Sequence, residues 1–169
     1  MEPWRALRLE ALRESPNAFL QSPEEFLLLN EEQLRDRLAT DQNHFTVGAF
    51  AEADKLVGMV GAFRETRPKV SHKANVWGTY LLPDYRRHGG GLKMMHFLLD
   101  HLHLIPGISQ VQLSVASSQK DAKKLYESLG FIAFGEEKEA ILVNGVLLDE
   151  FHMQKFLPTS PKSNDALTF

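Results

Sequence analysis

The feature that most constrains this chain is the stretch Tyr80-Leu81-Leu82-Pro83-Asp84-Tyr85-Arg86-Arg87-His88-Gly89-Gly90-Gly91, followed by Leu92-Lys93-Met94-Met95-His96-Phe97. An apolar extended run, a basic turn with three glycines and an amphipathic continuation read as strand, turn and helix. Glycine lets the backbone turn with its N–H groups converging, and a helix that starts there adds the positive end of its dipole. That combination suits phosphate, with Arg86, Arg87 and His88 as side-chain donors beside it. Two common phosphate motifs do not fit. A P-loop needs Lys-Ser/Thr straight after its last glycine, where Leu92-Lys93-Met94 stands, and the dinucleotide fingerprint needs a third glycine where Met94 stands.

The chain on either side alternates helix and strand signals. Trp4, Leu7, Leu9, Ala11 and Leu12 predict a helix that ends at Ser15-Pro16. Phe19 to Leu29 reads as a connector with a start signal at Ser22-Pro23-Glu24-Glu25, and Asn30 caps a helix through Leu38. Either the connector around Phe19 and Phe26 lines a substrate pocket, or both helices are scaffold with solvated faces. His44–Ala51 and Leu56–Arg64 form a hairpin, and Val70–Leu82 is extended chain whose apolar centre suits a central strand. Leu92–Leu104 is a helix ended by Pro106-Gly107, and Val111–Val115 is a short strand. Ser117 or Ser118 is expected to cap a helix Gln119–Leu129 that stops at Gly130. Phe131–Phe134, Ala140–Val143 and Val146–Phe156 read as antiparallel strands, the last two joined at Asn144-Gly145. These elements imply one domain over residues 1–157 and a flexible tail over 158–169.

Composition narrows the chemistry. There is no cysteine, which excludes a thiol nucleophile, a disulfide framework and a thiolate metal site. His96, His101 and His103 are spaced five and two apart, not one helical turn, so no metal site is expected. The formal net charge of −3 makes the basic turn a local feature and disfavours a nucleic-acid partner. No apolar run approaches a bilayer's thickness and no signal-peptide core is visible, so the expectation is a cytoplasmic protein without a membrane partner.

A second constellation follows the first. Ala122-Lys123-Lys124-Leu125-Tyr126 ends a helix and Gly130-Phe131 turns into a strand. Tyr126 is either a core residue of an amphipathic helix or a proton donor presented to a leaving group in a cleft.

The two together resemble the GCN5-related N-acetyltransferase (GNAT) superfamily. Its acyl-CoA motif, Arg/Gln-x-x-Gly-x-Gly/Ala, corresponds to Arg86-Arg87-His88-Gly89-Gly90-Gly91. Its second signature, Asn-x-x-Ala-x-x-Leu-Tyr then Gly-Phe, corresponds to Gln119-Lys120-Asp121-Ala122-Lys123-Lys124-Leu125-Tyr126 with Gly130-Phe131. The resemblance implies an α/β fold of α+β type: a mixed, mostly antiparallel central sheet flanked by about four helices. Two central parallel strands would splay apart in a V. The backbone of Thr79, Tyr80 and Leu81 would pair with the pantetheine arm, and the turn from Arg87 to Leu92 would hold the pyrophosphate. Gln119 would stand near the pantetheine, the Leu81 N–H would polarise the thioester carbonyl, and Tyr126 would protonate the departing thiolate.

The chain departs from the family pattern in three places. The first helix starts almost at Met1, so the first family strand is missing or very short, leaving a sheet edge open or covered by another chain. Gln119 replaces the usual Asn. The two positions that often carry a basic carboxylate hold Asn75 and Ser114, so deprotonation is expected through a water relay, or by His72, Glu65 or Glu150. The expected activity is direct transfer of the acetyl group of acetyl-CoA to a primary amine in a ternary complex, with a homodimer as a further expectation. The alternative is a non-catalytic acyl-CoA-binding or regulatory module. The acceptor is not legible.

Overall fold

A computed structural model describes residues 1–38, 41 and 43–158, so the expected tail beyond Pro158 lies outside the described residues. Helix α1 (Glu2–Glu14) runs into a 3-10 turn (Pro16–Ala18), α2 (Pro23–Leu27) and α3 (Glu31–Leu38). Strands β1 (His44–Phe50), β2 (Leu56–Arg64) and β3 (Lys73–Leu81) lead to α4 (Gly90–Leu104). Strand β4 (Gln110–Ala116), α5 (Lys120–Ser128), β5 (Ile132–Val143) and β6 (Val146–Phe156) complete the chain.

The six strands form one mixed sheet in the order β1-β2-β3-β4-β6-β5. Among the described residues only β3 and β4 are parallel; every other neighbouring pair is antiparallel. Both faces are covered, which is why β2 is buried along most of its length and does not alternate. On one face α1 presents Trp4, Leu7, Ala11 and Leu12 at helical spacing, and these pack with Phe26 and Leu34 against Val57, Met59 and Tyr80. On the other face Met94, Met95, Leu98 and Leu102 of α4, with Tyr126 and Leu129, pack against Val60, Ala62, Val76, Val111 and Leu113. Among the described residues the first strand is β1, paired with β2 alone, which leaves that edge of the sheet open.

Two details of the sheet place the site. β3 and β4 are paired only at Lys73, Ala74 and Asn75 against Gln110, Val111 and Gln112. Past those residues the strands diverge in the expected V. Within β3, Gly78 takes a left-handed φ of +67°, and the register against β2 shifts between Trp77 and Tyr80. This bulge turns Trp77 and Tyr80 toward the α1 face together.

Four local expectations need correction. Neither Ser117 nor Ser118 caps α5; Gln119 is its N-cap and makes no side-chain cap bond. The chain leaves β4 through a turn closed by the Gln119 N–H on the Ala116 carbonyl, which uses residues 117 and 118 as turn backbone. The expected strands Phe131–Phe134 and Ala140–Val143 are one strand, β5, which starts at Ile132, because the charged segment between them lies on an exposed sheet edge where it stays solvated. β3 starts at Lys73 instead of Val70, since Arg67 to Lys73 closes two turns through Val70. Finally, α4 begins at Gly90, so two of the three glycines are helical.

Candidate active site

The divergence of β3 from β4 opens a cleft of about 830 Å³. One wall is Val76 to Leu81 of β3, and the other is Leu113 to Ala116 of β4. Ser15, Ala18 and Phe19 also line it, as do Arg87, Gly89, Gly91 and Leu92 with Gln119, Leu125 and Tyr126. Exposed carbonyls and amides of two parted strands in one cavity are edges that a ligand's own amides can pair with.

The glycine turn has a backbone geometry that suits an anion. Arg87 and Gly89 both take left-handed φ, +64° and +78°, folding the backbone back on itself before α4. The first intrahelical bond runs from Lys93 N–H to Gly89 O at 3.0 Å. The amides of Gly90, Gly91 and Leu92 therefore have no acceptor within the helix and add to its positive end. A Cβ on Gly90 would lie 3.2 Å from Leu81 Cδ2, so glycine there lets the helix end sit against β3.

The side chains around the turn divide. Arg87 lines the cleft, but His88 and Gly90 line a separate groove against β1. Arg86 lines the cleft while its guanidinium is held elsewhere: Nε donates to Leu81 O at 2.7 Å, and Nη1 and Nη2 reach Glu14 at 3.2 and 2.8 Å. Gln119 lines the cleft at the start of α5.

Tyr126 is buried, and its side chain meets that of Thr79 across the splay. Its backbone carbonyl accepts from the Phe131 N–H at 3.0 Å and its ring meets Phe131 edge-on, which holds the phenol in one orientation. Burial raises its pKa above the ordinary phenol value, so the hydroxyl keeps its proton at neutral pH. On the facing strand, the Leu82 N–H donates to Val57 O of β2 at 2.9 Å. Strand alternation then turns the Leu81 N–H the other way, into the splay.

The two vacant base positions differ. Asn75 Nδ2 donates to Glu65 Oε1 at 2.8 Å, and neither residue lines the cleft. His72 sits at the closed end of the strand pair, where its carbonyl accepts from Ser109 and Gln110. Ser114 lines the cleft, and its Oγ lies 2.8 Å from Nδ1 of His152, directly opposite on β6. His152 Nε2 lies 3.3 Å from Glu137 Oε2 on β5. The three residues form a hydroxyl–imidazole–carboxylate chain that leads from the cleft to solvent. Sequence reasoning missed His152 and Glu137, because only the β4-β6-β5 pairing brings positions 114, 152 and 137 together; the Asn144-Gly145 hairpin was the one signal that could have aligned the last two.

Glu150 completes the cluster, and burial raises its carboxyl pKa with help from the Glu137 charge, while His152 opposes the shift. Among the described residues, Glu137, Glu150 and His152 are the group whose ligand atoms, within 4.8 Å of one another, have metal-like spacing. His152 is already engaged with Ser114 and Glu137, an arrangement that suits proton transfer.

The comparisons with known proteins agree on the fold. The model of the acetyltransferase (GNAT) family matches residues 4–131. A GNAT-family acetyltransferase from Streptococcus pneumoniae superposes with a TM-score of 0.76 at 22% identity, over 92% of this chain and 95% of that one. A phosphinothricin acetyltransferase from Sinorhizobium meliloti, solved in complex with AcCoA, gives 0.75 at 24% identity over 90% and 84%. The yncA protein of Salmonella typhimurium, solved with its cofactor acetyl-CoA, gives 0.75 at 15% identity over 98% and 92%. No curated protein matches the chain in sequence.

Proposed function

The chain belongs to the acetyltransferase (GNAT) family, and from that premise we propose that it transfers the acetyl group of acetyl-CoA directly to a primary amine. The observation that carries this reading is the joint placement of a left-handed glycine turn, a parted strand pair and a buried tyrosine hydroxyl around one cleft. Two structural neighbours were solved with acetyl-CoA, and the unpaired amides at the start of α4 with Arg87 in the cleft support the same ligand here.

Each residue has a task in this reading. The amides of Gly90, Gly91 and Leu92, with Arg87, bind the diphosphate. Arg86 braces the turn from Glu14 and Leu81, while His88, which lines the separate groove, takes no part at the cleft. The edge of β3 at Thr79, Tyr80 and Leu81, with Gln119 opposite, aligns the pantetheine. The Leu81 N–H stabilises negative charge developing on the thioester oxygen. Ser114 takes the proton of the ammonium as it gives its own to His152, whose imidazolium is steadied by Glu137. The neutral amine then attacks, the carbon–sulfur bond breaks, and Tyr126 gives its proton to the departing thiolate. With no cysteine in the chain, direct transfer in a ternary complex fits better than a thiol intermediate.

Residues 1–157 act as one unit in this proposal, and the open edge of β1 is the natural seat of a homodimer contact. Release of CoA thiol on mixing the protein with acetyl-CoA and a panel of primary amines, read beside mass spectra of the amines, tests the activity. Acetyl-CoA binding with no thiol release from any amine would favour the non-catalytic module.

A further inference from the structure

The bulge at Gly78 decides which way Thr79 points. Val76 packs in the core under α4, and plain strand alternation from it would send Gly78 and Tyr80 to that side and Thr79 to the α1 side. Instead, three steps along β3 from Trp77 to Tyr80 match two along β2 from Gly61 to Met59, and Tyr80 packs in the α1 cluster. The bulge thus reverses the alternation, and Thr79, the neighbour of Tyr80, faces α5. There its side chain meets Tyr126, and both residues line the cleft.

Tyr126 has few polar neighbours to hold it. Met94 and Leu98 of α4, Val115 of β4 and Phe131 share its core cluster and carry no side-chain group that could bond strongly to a hydroxyl. Charged residues stand nearby: Arg86 and Arg87 before the glycine turn and Lys120 and Asp121 of α5 line the same cleft, while Lys123 and Glu127 of α5 pair with each other. Among the described residues no charge moves the proton affinity of the phenol; burial raises its pKa, and the Thr79 hydrogen bond opposes the rise. A hydrogen bond that favours an ionised phenol is one that the phenolic oxygen accepts, so the Thr79 hydroxyl is the donor. The proton of Tyr126 is then free to point into the cleft. Resting on the acetyl-transfer reading, we propose that Thr79 is a positioning residue for the acid: its hydroxyl fixes the Tyr126 oxygen and donates to the phenolate that proton transfer leaves behind. In that step the Tyr126 O–H bond breaks as the S–H bond of CoA forms, and the negative charge passes from sulfur to a buried oxygen. An unpaired charge there is costly, and the Thr79 donor offsets part of that cost. Water restores the phenol once the thiol has left.

The test compares the unaltered protein with Thr79→Val, which keeps the shape of the side chain and removes its hydroxyl, and with Thr79→Ser, which keeps the hydroxyl. Ultraviolet titration of tyrosinate, each protein read against the same protein carrying Tyr126→Phe, follows Tyr126 without any substrate. Thr79→Val should move that titration to higher pH, and Thr79→Ser should leave it close to the unaltered one. With acetyl-CoA and the primary amine that releases thiol fastest, Thr79→Val should lower kcat about 10-fold at an unchanged KM for acetyl-CoA, as expected for a hydrogen bond to a charged group. Thr79→Ser should recover most of that loss, and the alkaline limb of the pH–rate profile should move upward in Thr79→Val alone. An unmoved Tyr126 titration in Thr79→Val would overturn the inference, as would an unchanged kcat. A loss confined to acetyl-CoA affinity would overturn it too, because Thr79 would then be a binding residue. If no amine releases thiol, the transferase reading fails, while an upward shift of the titration in Thr79→Val still upholds the bond from Thr79 to Tyr126.

Discussion

Arg86 and Glu14, far apart in sequence, meet at the mouth of the cleft through two contacts of 3.2 and 2.8 Å. The pair fastens the end of α1 to the glycine turn, and Arg86 Nε extends the tie to the Leu81 carbonyl. The Arg86 hydrogen bond lowers the Glu14 pKa from its ordinary value, against an opposing desolvation effect, with the Ser15 hydrogen bond and the Arg86 charge also lowering it. A carboxylate whose folded pKa is depressed adds stability that is complete above its unfolded pKa and is lost as pH falls through the folded one. Both side chains are more than a third exposed, so the contribution is about 0.5–1 kcal/mol. Glu14→Gln should lower Tm slightly at neutral pH, and the gap to the unaltered protein should close as pH drops below the usual carboxylate range. A constant gap down to strongly acidic pH would rule this pair out as the cause.

Gly89 has no heavy atom within 4 Å of where a Cβ would stand, so its φ of +78° alone demands glycine. Gly89→Val should weaken acyl-CoA binding by about tenfold or more, because a β-branched residue cannot hold the left-handed turn. Gly89→Asn, which tolerates that conformation, should lose much less. Calorimetric titration with CoA decides: equal affinity for all three proteins would remove the turn from the CoA site.

If Tyr126 protonates the leaving group, Tyr126→Phe should lower kcat by about 100-fold with CoA affinity unchanged. Burial raises the phenol pKa, so the unaltered enzyme should lose rate only above the ordinary phenol range, and the variant should lack that alkaline limb. An identical pH–rate profile in the two proteins would count against the acid role.

The Ser114–His152–Glu137 chain predicts a graded series. Ser114→Ala and His152→Gln should each cut kcat by about 10- to 100-fold, and Glu137→Gln by less. Unimpaired turnover in Ser114→Ala would point back to water as the acceptor of the proton.

Gly61 on β2 carries the Trp77 indole directly above it: a Cβ there would lie 2.1 Å from Trp77 Cε2. Gly61→Ala should therefore expel the ring from its seat at a cost of about 1–3 kcal/mol. Thermal melts should drop by about 2–4 °C for each kcal/mol, and tryptophan fluorescence should shift toward that of exposed indole. An unchanged melt would mean that the strand bulge at Gly78 absorbs the strain.

Much of this protein is written in local residue order. The glycine turn before Leu92, the apolar spacing of Trp4, Leu7 and Leu12, and the Asn144-Gly145 hairpin act between near neighbours, where backbone sterics and helical or strand periodicity decide the outcome. They sufficed for most of the element order and for the glycine turn, and the fold class followed from the family resemblance that the two motifs carry. What the chain order could not show are the relations across the sheet. Glu14 finds Arg86 because α1 crosses the open end of β3; His152 comes under Ser114 because β6 inserts between β4 and β5; Arg8 meets Gly78 because a bulge turns β3 toward α1. Each depends on register and crossover, set by the summed packing of both faces of the sheet and not by any short segment. The glycine turn is a local motif and could be read from its residues; the Ser114–His152–Glu137 chain is assembled from three strands, and only the folded chain brings it together.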